Sequence, residues 1–252
     1  MSDNKLNYFF NKYNQDIKKV AQVGAHFGQE IEIFKKHNIN QVFLFEPNQN
    51  AVEVLKNKTK NLSNIKIFPF ALGNVNSLSE MYYSSGNDGQ SSSLLEPQLH
   101  KKVQPKIDFK KKIAIDVKRF NDLKLNGIDF LIMDVQGFEL EVLKGFGKKL
   151  NQVQFIFTEI NRDALYKDNV LVKDLDHFLK TKGFIRTWTS WRTADMPWGD
   201  AFYLRNNRLG KFKGYYILIK NFLTTNNIYF FLYSILDFRL LKKRIKKITR
   251  LT

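Results

Sequence analysis

Short apolar runs alternate with helix-spaced amphipathic segments along most of the 252-residue chain. The first run, residues 20–23, ends in Gly24-Ala25-His26-Phe27-Gly28, and a helical segment follows. The second run, 42–45, stops at Glu46-Pro47. Residues 48–60 carry Ala51, Val52, Val54 and Leu55 at helical spacing with lysines between, which predicts a crossover helix. A third strand is predicted over 65–70, closed by Ala71-Leu72-Gly73. Residues 74–120 are less regular, with strands expected at 79–83 and 112–117 and a polar loop at 84–93. The run 128–134 is apolar until Asp134, as suits a strand buried on both faces of a parallel sheet. A helix over 138–150, a strand over 153–158 ending at Glu159, a helix over 168–182 and a closing strand pair at 184–188 and 201–204 complete the pattern. Residues 4–19 read as a short, polar-faced helix leading into the first strand.

Strands alternating with helices in this way predict a doubly wound α/β sheet. Ligands of such sheets bind outside the carboxyl ends of the strands. The polar residues expected there are Gln22, Glu46, Asp134 and Glu159. The unit from 20 to 47 is strand, glycine turn, helix and strand, with an acid at the second strand's tip. Gly24 and Gly28 allow a ligand close to the backbone, and Glu46 can take both hydroxyls of a ribose. The unit therefore reads as a nucleoside-cofactor site. A dinucleotide fingerprint needs G-x-G-x-x-G, whereas His26 stands where pyrophosphate would require a second glycine. Loops that hold S-adenosylmethionine (SAM) run acid-x-G-x-G-x-G; Gln22, Gly24, His26 and Gly28 occupy those four positions, two of them altered.

Charge changes the picture at one end only. The net charge is +17, and from residue 205 onward twelve basic residues face one acid, Asp237. That segment joins an aromatic-aliphatic run, broken by Lys220, Asn221 and Thr224 to Asn227, to the basic LKKRIKKITR. The interruptions argue against a spanning helix, which needs about 20 apolar residues. An interfacial anchor on an anionic membrane, helices docking on the body or on a second copy, and a nucleic-acid arm are the alternatives. The chain has no cysteine, which excludes disulfides and thiolate chemistry. The N-terminus has no apolar signal core. The expectation is a cytoplasmic protein, with the tail as its route to the inner face of the membrane.

With these residues in place, the chain resembles the FkbM-type family of SAM-dependent methyltransferases over roughly residues 20–204. The resemblance rests on VGAHFG (23–28), FEP (45–47), ALGN (71–74), MDVQGFELEVLKG (133–145) and FTEIN (157–161), with DGQSSS (88–93) and WGDAFYL (198–204) marking a subgroup. It implies a class I fold: a doubly wound, mostly parallel seven-stranded sheet, here with a basic helical extension at 205–252 and a helix at 1–19. It also implies SAM as cofactor and O-methylation of a sugar, glycan or other hydroxylated acceptor. Gln22 and Gln136 depart from the family pattern, standing where relatives have Asp and Glu.

On this reading Gln22, Gly24, Ala25, His26, Gly28, Glu46, Pro47, Ala71 and Ser92 are the expected cofactor residues. Gln22 would face the cofactor's amino-acid end, or else be a buried amide at the sheet edge. Asp134, Glu159 and His100 are the expected catalytic residues. Asp134 and Glu159 end neighbouring strands and could together hold a divalent cation, although none is expected; alternatively Asp134 caps the helix near Gly137. Glu139 reads as a structural acid in a first helical turn. His26 reads as a pocket wall, His100 as a base or a surface residue, and His37 and His177 as exposed. Among the tryptophans, Trp198 beside Asp200 is a candidate for stacking on a sugar. Two other functions compete: an RNA methyltransferase using the basic tail, against which no amide clamp follows the fourth strand, and a non-catalytic membrane-bound module disabled by Gln22.

Overall fold

A computed structural model of the chain describes residues 3–192 and 196–208. The tail beyond 208, with its anchor, docking and nucleic-acid readings, lies outside the described residues. No helix among the described residues is long and apolar enough to cross a membrane.

The first half runs α1 (Asp3–Tyr13), β1 (Lys19–Val23), α2 (Ile31–Lys36), β2 (Gln41–Phe45), α3 (Gln49–Thr59), β3 (Ile65–Phe68), β4 (Ala71–Leu72) and β5 (Ser77–Ser85). The second half runs α4 (His100–Val103), β6 (Asp108–Lys118), β7 (Phe130–Met133), α5 (Glu139–Gly145), β8 (Phe155–Asn161), α6 (Val172–Thr181), β9 (Phe184–Trp191) and β10 (Trp198–Arg205). Seven strands form the main sheet in the order β3-β2-β1-β7-β8-β10-β9, parallel except for β10, which is antiparallel to both neighbours. The expected doubly wound sheet is present. The irregular region builds something of its own: β4, β6 and β5 make a second, three-stranded sheet.

Side-chain alternation along the strands separates two apolar faces. Ala21, Val23, Phe43, Phe45, Leu131, Met133, Ile156 and Tyr203 pack against Val142 and Leu143 of α5 and Val172, Leu175 and Leu179 of α6. The opposite face carries Phe130, Phe155, Phe157 and Phe202, and it is covered in part by aromatic residues of α1. The Phe9 ring stacks on Phe202 at 3.9 Å, and Phe10 meets Phe130 at 5.2 Å. The N-terminal helix is therefore part of the core, and it ends at Tyr13 rather than at 19.

Several expected boundaries shift for local reasons. The helix expected over 138–150 stops at Gly145, and Gly147, at φ +53, leads into a 3-10 turn, Gly147–Gln152. The helix expected from 168 starts at Val172, because Asp168 has φ +58, which no helix accommodates. Strand β8 continues through Glu159 to Asn161, since antiparallel β10 supplies partners as far as Trp198↔Asn161. Arg205 closes β10, its guanidinium donating to the carbonyls of Val153 and Leu150 at 2.7 Å each.

Because Phe9 is 3 % exposed and its ring lies flat on Phe202, Phe9→Ala removes a core ring. The expected loss is about 3–5 kcal/mol of unfolding free energy, read by chemical denaturation.

Candidate active site

The chain leaves β1 for β2 and β3 on one side and returns to β7 on the other. The strand order therefore reverses between β1 and β7, where a crevice opens at their carboxyl ends. The two tips touch. A Cβ on Gly24, whose φ is +78, would lie 2.1 Å from the Asp134 carbonyl oxygen, so only glycine lets β1 end there. Above the tips lies a cavity of about 430 Å³, walled by the β1–α2 loop, Glu46-Pro47-Asn48, Asp134 to Gln136, and the loop after β5.

Glu46 stands at the tip of β2, buried. Its Oε2 accepts the His26 backbone N–H at 2.8 Å and its Oε1 accepts the Asn48 N–H at 2.9 Å. Burial raises its pKa, and the two N–H groups oppose that rise. The carboxylate is fixed in place, and each oxygen keeps a lone pair for a ribose hydroxyl. Asn48 in turn caps α3, its Oδ1 accepting from Asn50 N at 3.1 Å.

His26 has φ +46 and ties two loops together. Gln29 Nε2 donates to its Nδ1 at 3.1 Å, leaving Nε2 as the donor to the Asp88 carbonyl, 2.7 Å away. The tied loop is a self-bonded polar web: Ser84 Oγ donates to Asn87 Oδ1, Asn87 Nδ2 donates to Ser91 Oγ, and Ser91 N donates to Ser84 Oγ. Ser93 Oγ donates to the Gln136 carbonyl at 2.8 Å, joining the web to the β7 tip. Ser91, Ser92 and Ser93 all line the cavity.

The far wall is acidic. The register pairs Met133 with Thr158, so Asp134 and Glu159 follow side by side, and Asp200 lies across from Glu159. Asp134 Oδ1 accepts Gln136 Nε2 at 2.7 Å, and Lys5 Nζ sits 2.9 Å from Asp200 Oδ2. Burial, and then the charges of Asp134, Glu139 and Asp200, push the Glu159 carboxyl well above the ordinary range. Glu139 is fully buried, and its Oε1 accepts the N–H groups of Val135 and Gly137. Glu139 thus holds the turn into α5, a place the sequence had left open to Asp134, and Asp134 lines the cavity.

His100 opens α4 and is 3 % exposed, its ring edge-on to Phe109 at 5.1 Å. Its Nδ1 is buried without a hydrogen-bond partner, and burial lowers its pKa, keeping the ring neutral at neutral pH. The surface alternative for His100 does not hold. His37, half-buried, bonds to Asn7 Oδ1 and stacks on Phe10, so the exposed reading fails there too; His177 is exposed.

Ten of the twelve expected site residues line this one cavity: Gln22, Gly24, His26, Glu46, Pro47, Ala71, Ser92, His100, Asp134 and Glu159. Ala25 and Gly28 do not. Ala25 is buried beneath the loop, and a Cβ on Gly28 would strike Ile31 Cδ1 at 2.4 Å and Leu55 Cδ2 at 2.7 Å. Gly28 is therefore a glycine for turn and packing, not for cofactor approach. Trp198 lines the cavity, whereas Trp188 packs between Phe9 and Phe157, and Trp191 lies under Arg162. Sequence reasoning missed Glu30, Gln104, Arg192 and Tyr166. The hydroxyl of Tyr166 lies 2.8 Å from the Ser91 carbonyl and 3.1 Å from Gln136 Oε1. Only Glu30 had a signal, an acid set directly before the apolar Ile31. Among the described residues, no group of three or more His, Asp or Glu is placed to hold a metal ion.

The sheet order, the glycine tip of β1 and the buried acid at the tip of β2 are those of a class I methyltransferase fold. The FkbM methyltransferase domain matches residues 22–186, and the chain belongs to that family. It is 29% identical over 159 residues to the 2-O-methyltransferase NoeI of Sinorhizobium fredii, a match covering 59% of this chain and 65% of the relative. The crystal structure of the methyltransferase FkbM from Methylobacillus flagellatus KT superposes with a TM-score of 0.51 at 16% identity, covering 75% of this chain and 44% of the other. The chain thus spans less than two thirds of either protein. The cofactor of this domain is SAM, and the residues fit it: Glu46 retains acceptors for a ribose diol, and Gln22 holds a buried, unpartnered Oε1 beside the glycine turn.

Burial pushes the Glu139 carboxyl up to about 7, above its ordinary 4.5. In that window the folded protein holds a proton that the unfolded chain has released, so this group's contribution to stability falls as pH rises from 4.5 towards 7. Glu139→Gln keeps an acceptor for Val135 and Gly137 and cannot ionise. Denaturation at a series of pH values is expected to show a stability decline across the window that the variant reduces by about 3 kcal/mol. An unchanged decline would contradict a buried, proton-holding Glu139.

Proposed function

We propose that this protein methylates a hydroxyl group of a sugar, glycan or other small hydroxylated acceptor. The observation that carries the reading is His100, a buried imidazole kept neutral, with an unpartnered Nδ1, on the wall of the same cavity as Asp134 and Glu159. A hydroxyl nucleophile must shed its proton as it attacks, and a neutral histidine is suited to accept it. The kinship with a 2-O-methyltransferase supports the same choice of acceptor atom.

When bound, SAM supplies an electrophilic methyl group on a sulfonium. The chain's own residues do the rest. Glu46 holds the ribose, and the Ser91 to Ser93 segment walls the nucleoside end. Asp134 would accept a hydrogen bond from a neighbouring hydroxyl of the acceptor and so orient the ring. Glu159, whose carboxyl burial and the neighbouring acids push upward, would share a hydrogen bond with a second oxygen of the acceptor. His100 Nδ1 would take the proton that the hydroxyl sheds as its oxygen attacks the methyl group. Trp198 offers an apolar face for a sugar ring, with Gln104 and Arg192 as polar neighbours on the wall. Most of the rate comes from holding oxygen and methyl in line.

The test is transfer of labelled methyl from SAM to a panel of glycans, glycolipids and RNA. The expected product is a methyl ether on a sugar; labelling of RNA alone would overturn the reading. With the acceptor found, His100→Ala is expected to lower kcat by about 10²–10⁴ while cofactor affinity, measured by calorimetry, changes only a few-fold. The wild-type kcat/KM should fall on the acid side, below the ordinary histidine range, and the variant should lack that limb.

A further inference from the structure

Position 22, at the end of β1, carries an amide where an acid would be expected to meet the ammonium group at the cofactor's amino-acid end. The charge has not disappeared from the site. Gln22 Nε2 donates to Glu30 Oε2 at 2.7 Å, a buried contact between β1 and the start of α2. Gln22 is 2 % and Glu30 6 % exposed, and both line the cavity beside Gly24. Gln22 Oε1 is buried with no partner, an acceptor that costs free energy until an N–H reaches it.

We propose that Glu30 is the counter-charge for the α-ammonium group of SAM, and that Gln22 positions it while offering its own carbonyl oxygen to the same ammonium. An ammonium has three N–H donors, and this pair presents a carboxylate and an amide oxygen from neighbouring elements. The other cavity acids stand at other strand tips: Glu46 is held by two backbone N–H groups at β2, Asp134 receives Gln136 at β7, and Glu159 lies on β8. Burial raises the Glu30 pKa, and the nearby Asp134 charge adds to the rise, so a cation arriving beside Glu30 relieves both costs. Gln22 is then not a disabling change, because the charge has moved one side chain further along the loop. The inference rests on SAM as cofactor and is independent of the acceptor.

Calorimetry on the full chain with two nucleosides tests it. S-adenosylhomocysteine carries the ammonium group; 5′-methylthioadenosine keeps adenine, ribose and sulfur but lacks the amino-acid end. Glu30→Gln is expected to weaken S-adenosylhomocysteine by at least ten-fold and to leave 5′-methylthioadenosine within about two-fold. The exchanged double variant Gln22→Glu/Glu30→Gln returns a carboxylate to β1 and should recover most of the lost affinity. Equal weakening of both nucleosides, or of neither, would overturn the role of Glu30. Binding of neither nucleoside by the wild type would remove the cofactor assignment, and this proposal with it.

Discussion

Buried carboxylates along one edge of the main sheet are the constraint to which the rest of the molecule responds. Burial raises the pKa of Glu30, Glu46, Glu139 and Glu159 alike, and Asp134 adds its charge to three of them. Acids in such a place destabilise a fold unless each is satisfied. The chain meets part of the cost locally. Glu46 takes two backbone N–H groups, one oxygen of Glu139 takes two more while its other oxygen stays buried without a partner, Glu30 takes an amide, and Asp200 beside Glu159 takes Lys5 from α1. What remains is a cavity with acceptors in excess and room for a cationic ligand. A sulfonium cofactor with an ammonium group answers that need where a pyrophosphate would worsen it.

The second sheet explains how the cavity is walled on its open side. The loop after β5 carries the serine web, and its contacts reach both strand tips: His26 to Asp88 at the β1 side, and Ser93 to Gln136 at the β7 side. The β1 and β7 sides of the cavity are thus joined through one loop. His100 is held between Phe109 of β6 and the segment after β8, where its ring meets Tyr166 and its backbone N–H donates to the Leu165 carbonyl, so the candidate base depends on both sheets.

Much of the site was legible before the fold was known. The strand-ending residues Gln22, Glu46 and Asp134 were readable because an apolar run that stops at a polar residue marks a carboxyl end, and in a parallel sheet those ends share an edge. Glu139 was readable as structural from its place in a first helical turn. Gly28 was misread because a glycine in a cofactor loop looks the same whether ligand or side chains crowd it; here Ile31 and Leu55 do. His100 was undecidable, since burial of a lone histidine in an irregular region depends on what packs over it. Glu30 passed as a helix-start acid, because nothing in the sequence says that its side chain turns back to Gln22.

The sequence by itself determined the alternation of strand and helix, the glycine tip, the acid that ends β2 and the family. These depend on local periodicity and on residues close along the chain. Tertiary structure alone decided which charges meet: the Gln22–Glu30 contact, the Asp134–Glu159–Asp200 cluster, the His26 tie and the burial of His100. Each depends on strand order, register or the seating of a second sheet, and these are set by packing across the whole domain.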